Sequence, residues 1–279
     1  MEFNRLFNKY DINDWLKYKP RDAHYVKFLP NQVIAGLKID DVYSQILNAR
    51  ESLALSEIDD FGERIVLAHN NSLKRLHLKF LFDALASYNY AIDSSWQMIY
   101  LYLGEEEYEI LLNKQKYYKA LRGCTRENLL YLLRLAGNKK VYYCVESLFN
   151  DLITKELREY YNYIKHRGTY NIEGLKESIH RFPFEVEGKE FRGAYRETLN
   201  IDTLKRRLIE FDVLFHEYFK SLILMLFPKD FQNPVIKARD FKTLLEKLFE
   251  NGFLNDDDNI TKLGLEIPGH EIPIPKLYK

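Results

Sequence analysis

The stretch LKRRLIEFDVLFHEYFKSLILM, residues 204–225, decides the fold of this chain. Its large apolar side chains recur at alternating spacings of three and four residues, which is the period of one face of an α-helix. The series is Leu204, Leu208, Phe211, Phe215, Tyr218, Leu222 and Met225. Pro228 follows where the pattern stops, as expected beyond the end of a helix. We therefore predict a long helix with one buried face.

The chain before this segment repeats the same pattern. A stripe of side chains with alternating spacings of three and four residues runs through residues 78–102. Its members are Leu78, Leu81, Leu85, Tyr88, Ile92, Ser95, Ile99 and Tyr102. It predicts one long helix, or two nearly collinear ones if the sequence 93–95 breaks it. Two further helices are predicted, one between Thr125 and Ala136 and one from about Val141 to Arg167 that ends at Gly168. Four long helices with side-chain stripes of this spacing favour a helical bundle.

The flanking segments differ from this centre. Residues 1–60 are interpreted as an N-terminal extension, irregular around Pro20 and Pro30 and helical from Asp40 to Leu55. Residues 61–228 form the predicted bundle, and alternation over residues 184–191 around Gly188-Lys189 predicts a small β-hairpin inserted in it. Five of the eight prolines fall at position 228 or beyond, and residues 229–279 are interpreted as a C-terminal appendage with a partly extended tail. The predicted fold class is mainly α.

Composition narrows the classes of function. A hydrophobic content of 46% is enough for a sizeable core, and 41 basic residues balance 41 acidic ones, so no global positive charge attracts nucleic acid. The chain has no apolar run near the ~20 residues of a membrane-spanning helix, and we expect a cytoplasmic protein. Its two cysteines, Cys124 and Cys144, are too few for a disulfide scaffold or a thiolate zinc site. No metal ligands or cofactor are predicted.

A polar cluster at the end of the fourth predicted helix is the candidate site. At about 100° per residue, Arg158, Asn162 and His166 lie on one face, roughly opposite an apolar stripe through Leu157 and Ile164. Imidazole exchanges protons near neutral pH, an amide orients a phosphate, and a guanidinium neutralises its charge. These groups would suit RNA transesterification. The same cluster is also typical of a solvated helix end, where basic residues are favoured by the helix dipole.

The segment Asn162-Tyr-Ile-Lys-His166-Arg167-Gly168, with one further long helix after it, resembles the signature of the HEPN superfamily. Members have a compact helical bundle with an Arg-polar-x3-His motif, and they usually dimerise so that two motifs face each other. The motif Asn and His correspond to Asn162 and His166, whereas Tyr161 stands at the position of the family's Arg. The likeness covers roughly Ser72 to Phe227.

The resemblance implies a function and its partners. Many catalytic members are metal-independent endoribonucleases in toxin–antitoxin and defence systems, and others are inactive nucleotide-binding or protein-interaction modules. The implied catalytic residues are His166 as general acid or base and Asn162, with Arg158 or Arg167 as substitutes for the motif Arg. Lys165 and Tyr161 are candidate binding residues. The implied partners are a second copy of the chain, RNA or a nucleotide, and a cognate antitoxin.

Two other features of the sequence offer alternative sites. A basic cluster of Lys74, Arg75, His77 and Lys79 could contact phosphates, but such clusters are more often a solvated helix face. The segment Phe241 to Leu265 is similar to the later half of a winged-helix module, which leaves DNA binding as a less favoured alternative. His69 and His77 have no carboxylate or thiolate at ligand spacing, so a metal site there is not expected.

Overall fold

Helices make up most of the structure. The computed structural model describes residues 27–61, 70–104, 109–175, 184–191 and 196–232, with scattered positions nearer the ends (6, 10, 11, 13, 18–20 and 242). The described helices are α1 (Pro30–Leu55), α2 (Asn70–Tyr102), α3 (Glu109–Leu112), α4 (Lys114–Gly123), α5 (Arg126–Leu135), α6 (Lys139–Asn150), α7 (Leu152–Arg167) and α8 (Ile201–Leu226). The prediction of a mainly helical protein is confirmed.

Helices α8 and α2 follow their apolar stripes closely. Asn200 caps α8 by accepting a hydrogen bond from the Thr203 amide at 2.9 Å, and every member of the predicted stripe except the half-buried Met225 is buried. Helix α2 continues unbroken through Asp93, so the break considered there does not occur. Both helices contribute to one hydrophobic core.

Helix α1 begins ten residues earlier than predicted. Pro30 is its first residue, where a missing amide proton is tolerated, and the side chain of Gln32 accepts a hydrogen bond from the Leu29 amide at 3.1 Å. Asn31 Nδ2 donates to the Tyr102 carbonyl at 2.7 Å, which places the start of α1 against the end of α2. Buried residues such as Ile39 join the core of α2 and α8, so this helix is part of the common packing.

The single helix predicted from Val141 to Arg167 is wrong. Asp151 interrupts it with an extended backbone (ψ 140°) and separates α6 from α7. Its carboxylate accepts hydrogen bonds from the amides of Ile153 (2.8 Å) and Thr154 (3.1 Å), and so caps the new helix. The periodicity continues across the break, which is why the sequence pattern alone concealed it.

Two small sheets lie between α7 and α8. Strands β2 (Phe184–Val186) and β3 (Lys189–Phe191) pair antiparallel, which confirms the predicted hairpin. Its turn residues are Glu187 (φ 52°) and Gly188 (φ 75°), one position earlier than predicted. Strands β1 (Asn171–Ile172) and β4 (Thr198–Leu199) pair in parallel at the two ends of the insertion, and this pairing was not predicted.

The appendage after Pro228 is described only in part. The segment 241–265, on which the winged-helix alternative depends, lies outside the described residues except for Lys242, and so does the proline-containing tail. None of the helices that the structure describes is long and apolar enough to cross a membrane.

Candidate functional site

The end of α7 is set by Gly168. This glycine has φ 103° and ψ −156°, a conformation essentially restricted to glycine, and it ends the helix directly after the basic last turn of Lys165, His166 and Arg167. The chain then folds back, and the ring of Tyr170 stacks on that of Tyr163 with centroids 4.1 Å apart. The basic residues lie at the negative end of the helix dipole, where cations are favoured.

Asn162 and His166 lie one helical turn apart, and both side chains are exposed. Leu157, on the other side of α7, is completely buried in the core. The prediction that His166 lies off the core-facing stripe is therefore confirmed. A ligand can approach the imidazole and the amide from the same side of the helix.

Arg158 is engaged by α2. Its Nη1 lies 3.2 Å from a carboxylate oxygen of Asp93, and its guanidinium lies 5.2 Å from the ring centroid of Trp96. The side chain is 28% exposed, so one part faces solvent while the rest packs on the indole. Arg158 is thus held beside the exposed face, but its charge is already partly offset by a carboxylate.

Arg167 lies elsewhere on the helix. Nine residues at about 100° each place Arg158 and Arg167 on opposite sides of α7. The guanidinium of Arg167 lies 5.8 Å from the ring of Tyr163 and 3.9 Å from the carboxylate of Glu197, and both charged side chains are largely exposed. The structure therefore does not bring the two predicted arginines together.

Tyr161 forms an aromatic contact with α2. Its ring meets that of Tyr90 edge to face, with centroids 6.0 Å apart and planes at 83°, and the Lys165 ammonium lies 6.0 Å from the Tyr161 centroid. Burial, a hydrogen bond with Tyr90 and the nearby Asp93 together raise the pKa of the Tyr161 hydroxyl to about 12, against the lowering effect of Arg158. At neutral pH this phenol is protonated and can donate a hydrogen bond.

Sequence reasoning missed the contribution of α2 to this site. Tyr90 and Asp93 are three residues apart and Trp96 is three further on, so all three lie near one another on the helix. In the sequence, Asp93 stands out only as part of a possible helix break. The available signal was that these polar and aromatic residues recur at helical spacing beside the core stripe.

A second polar cluster lies in the core. Arg50 Nε and Nη2 donate to the two carboxylate oxygens of Asp212 at 2.9 and 2.7 Å, and Nη1 donates to the Tyr10 carbonyl. The Tyr88 hydroxyl donates to Asp212 at 2.8 Å. Arg50, Tyr88 and Asp212 are fully buried, which assigns them a structural role joining α1, α2 and α8.

The remaining candidates have ordinary surroundings. His77 Nε2 lies 2.8 Å from the Ile58 carbonyl, and Lys79 pairs with Asp83 at 2.6 Å, whereas Lys74 and Arg75 are exposed. His69 lies outside the described residues.

In the part of the chain that the structure describes, no three His, Cys, Asp or Glu side chains are grouped so as to hold a metal ion. Cys124 and Cys144 form no disulfide, and burial raises the pKa of the Cys124 thiol to about 12.

Comparison with known proteins gives no relative: no protein-family model, no curated protein and no solved structure matches this chain.

Proposed function

We propose that this chain is a HEPN-like helical protein that cleaves RNA without a metal ion, using the exposed face of α7. The observation that supports the proposal best is the placement of Asn162 and His166, one turn apart and both open to solvent. Lys165 is exposed in the same turn and adds a positive charge for a phosphate. The resemblance of this segment to the HEPN signature supplies the reaction.

In the proposed reaction His166 acts as the general base. It removes the proton of a ribose 2′-hydroxyl, whose oxygen attacks the adjacent phosphorus and displaces the 5′-oxygen of the next nucleotide. The products are a 2′,3′-cyclic phosphate and a 5′-hydroxyl, whose departing oxygen takes up a proton from water, while His166 returns its proton to solvent. Asn162 would hold a phosphate oxygen, and Lys165 with Arg158 would offset the developing negative charge.

A second candidate function is a binding module of the same fold without catalysis. The observation in its favour is that Arg158 is paired with Asp93 at 3.2 Å and Arg167 lies on the far side of α7, while Tyr161 occupies the position of the motif Arg. A single donor to a developing oxyanion contributes about 3 kcal/mol to catalysis, so its absence favours ligand binding over turnover. The ligand would then be a nucleotide or a partner protein.

One assay distinguishes the two functions. The purified protein is incubated with single-stranded and structured RNA in EDTA, beside His166→Ala and His166→Gln. Loss of the general base should lower the cleavage rate about 10²- to 10⁴-fold in both variants, because the glutamine amide can form hydrogen bonds but cannot exchange a proton near neutral pH. Lys140→Ala, which removes an exposed charge from α6, is the matched control and should cleave as the wild type does.

The products and the variants decide the outcome together. A cyclic phosphate terminus that depends on His166 supports the ribonuclease. Cleavage that is equal in wild type and both His166 variants would come from a contaminant or another site and would overturn the assignment. No cleavage, together with saturable binding of RNA or a nucleotide, would favour the binding module.

A further inference from the structure

Beside the proposed catalytic face, α2 presents an exposed aromatic ring. Tyr90 is 47% exposed although its neighbours Asn89 and Ala91 are buried. In its edge-to-face contact with Tyr161, at 6.0 Å and 83°, each ring leaves at least one face uncovered by the other. Tyr90 is therefore held in a fixed orientation by a half-buried partner, with ring surface left for a further contact.

The groups around this ring carry the charge that a nucleic-acid backbone requires. The Lys165 ammonium lies 6.0 Å from the Tyr161 centroid, and Arg158 lies against Asp93 one turn along α2 from Tyr90. Along α7, the side chains of Tyr161, Asn162 and Lys165 lie within about 100° of one another, whereas His166 lies five residues and about 140° from Tyr161. An aromatic platform, a flexible cation and the Asn162 amide thus occupy neighbouring positions, and His166 follows Asn162 one turn further along α7.

From this arrangement we infer that Tyr90 stacks on an unpaired nucleobase, while Lys165 and Asn162 contact the adjacent phosphate. Every nucleobase has a π-face, so a tyrosine beside a cation binds single strands with little sequence preference. Bases in a duplex are already stacked and cannot reach the ring. The inference rests on the proposed function because it specifies that the α7 site accepts single-stranded rather than double-stranded RNA.

The test measures binding in a protein whose cleavage is slowed by the loss of His166. His166→Ala protein is titrated in EDTA against a short fluorescent single-stranded RNA and against the same RNA annealed to its complement. Adding Tyr90→Ala should weaken single-strand binding about tenfold, within the range measured for removal of one base-stacking aromatic, and leave duplex binding unchanged. Tyr90→Phe, which keeps the ring, should bind as the parent does.

A control and a folding check accompany these variants. Tyr131→Ala removes a tyrosine that is 61% exposed on α5 and should not change RNA binding. Tyr90→Ala should melt only slightly below Tyr131→Ala, because both side chains are exposed and Tyr90→Ala loses in addition the ring contact with Tyr161.

The outcomes separate the two proposals. If Tyr90→Ala binds the single strand as tightly as its parent, or loses duplex binding equally, the stacking inference is overturned whatever the cleavage assay finds. If Tyr90→Ala changes the sedimentation coefficient and leaves RNA affinity intact, Tyr90 belongs to a protein interface and the inference also fails. If single-strand binding depends on Tyr90 but cleavage does not depend on His166, the inference stands and the ribonuclease proposal falls.

Discussion

At Arg50, one side chain joins distant parts of the sequence inside the core. Its guanidinium forms a bidentate pair with Asp212, and the Tyr88 hydroxyl donates to the same carboxylate. Burial raises the pKa of Tyr88 well above its usual value, so the phenol stays protonated and remains a donor. A buried ion pair of this kind costs desolvation energy, and its value lies in fixing one arrangement of the three helices.

Removing one partner of this pair should destabilise the protein strongly. Asp212→Leu leaves the guanidinium buried without its counter-charge and is expected to lower the free energy of unfolding by about 3–5 kcal/mol. The double variant Arg50→Met with Asp212→Leu removes both charges and should recover much of that loss. Urea denaturation followed by circular dichroism measures both. If the double variant were as unstable as Asp212→Leu alone, the loss of stability could not be assigned to an uncompensated charge on Arg50.

The neighbouring His216 should make stability depend on pH. Burial lowers its pKa below the ordinary value of 6.5, and Arg50 and Lys220 lower it further, while Glu217 and Asp212 act in the opposite direction. In the unfolded chain the His216 imidazole takes up a proton near pH 6.5, whereas in the folded chain it does so only at lower pH. Between pH 7 and 5 the unfolded state therefore binds more protons, and the free energy of unfolding falls as the pH falls.

The matched variant is His216→Phe, which keeps an aromatic ring and removes the titration. Denaturation at a series of pH values should show a shallower decrease in stability below pH 6.5 for this variant than for the wild type. If the free energy of unfolding fell equally steeply with pH in the two proteins, the acid sensitivity would come from groups other than His216.

Among the helix ends, Gly137 and Gly168 differ in the reason each must be glycine. Gly137 has φ 65° after α5, with the Asn138 amide donating to the Leu133 carbonyl at 3.0 Å, as in a left-handed helix cap. Gly168, at φ 103° and ψ −156°, lies in a region that other residues rarely enter. A Cβ at either position would meet no atom within 4 Å, so any cost of substitution comes from the backbone.

Asparagine variants test this difference. Gly137→Asn should recover most of the stability that Gly137→Ala loses, because asparagine tolerates the left-handed conformation. Gly168→Asn and Gly168→Ala should both lose about 1–3 kcal/mol, because neither residue tolerates that backbone. Thermal unfolding of the four variants measures the comparison. If Gly168→Asn were clearly more stable than Gly168→Ala, the loss of stability could not be assigned to the backbone conformation of residue 168.

The elements also show which features the sequence could predict. Helix α8 was predictable because one apolar stripe covers its whole length and Pro228 follows it. The break at Asp151 was not, because aspartate is tolerated within helices and the apolar spacing continues on both sides. The start of α1 was missed because the stretch around Pro30 was interpreted as irregular, whereas proline is favoured at the first helical position.

For the whole molecule, the question is whether two copies associate. The HEPN resemblance predicts a homodimer in which two α7 motifs face each other, and the exposure of Asn162 and His166 leaves that surface accessible. Analytical ultracentrifugation at micromolar concentration should therefore give the mass of two chains. A mass of one chain would contradict this prediction, and His166→Glu, which places a negative charge at the expected contact, should shift a dimer toward the monomer.

The candidate site was predictable on α7 and not across to α2. Helical periodicity locates Asn162 and His166 on one face, because both lie within the same helix. The contacts of Arg158 with Asp93 and of Tyr161 with Tyr90 join residues more than sixty positions apart in sequence. Periodicity within one helix carries no information about which helix packs beside it, so these partners required the structure.

The parallel pair of β1 and β4 has a consequence for how this chain can change. Asn171 pairs with Thr198 and Ile172 with Leu199, so the two ends of the segment that connects these strands lie side by side. Parallel strands require a full crossover between them, yet the length of that crossover is not fixed by their register. We therefore expect that changing the length of the chain between Leu175, which is buried in the core, and Glu197 leaves the pairing of β1 with β4, and with it the alignment of α7 and α8, intact.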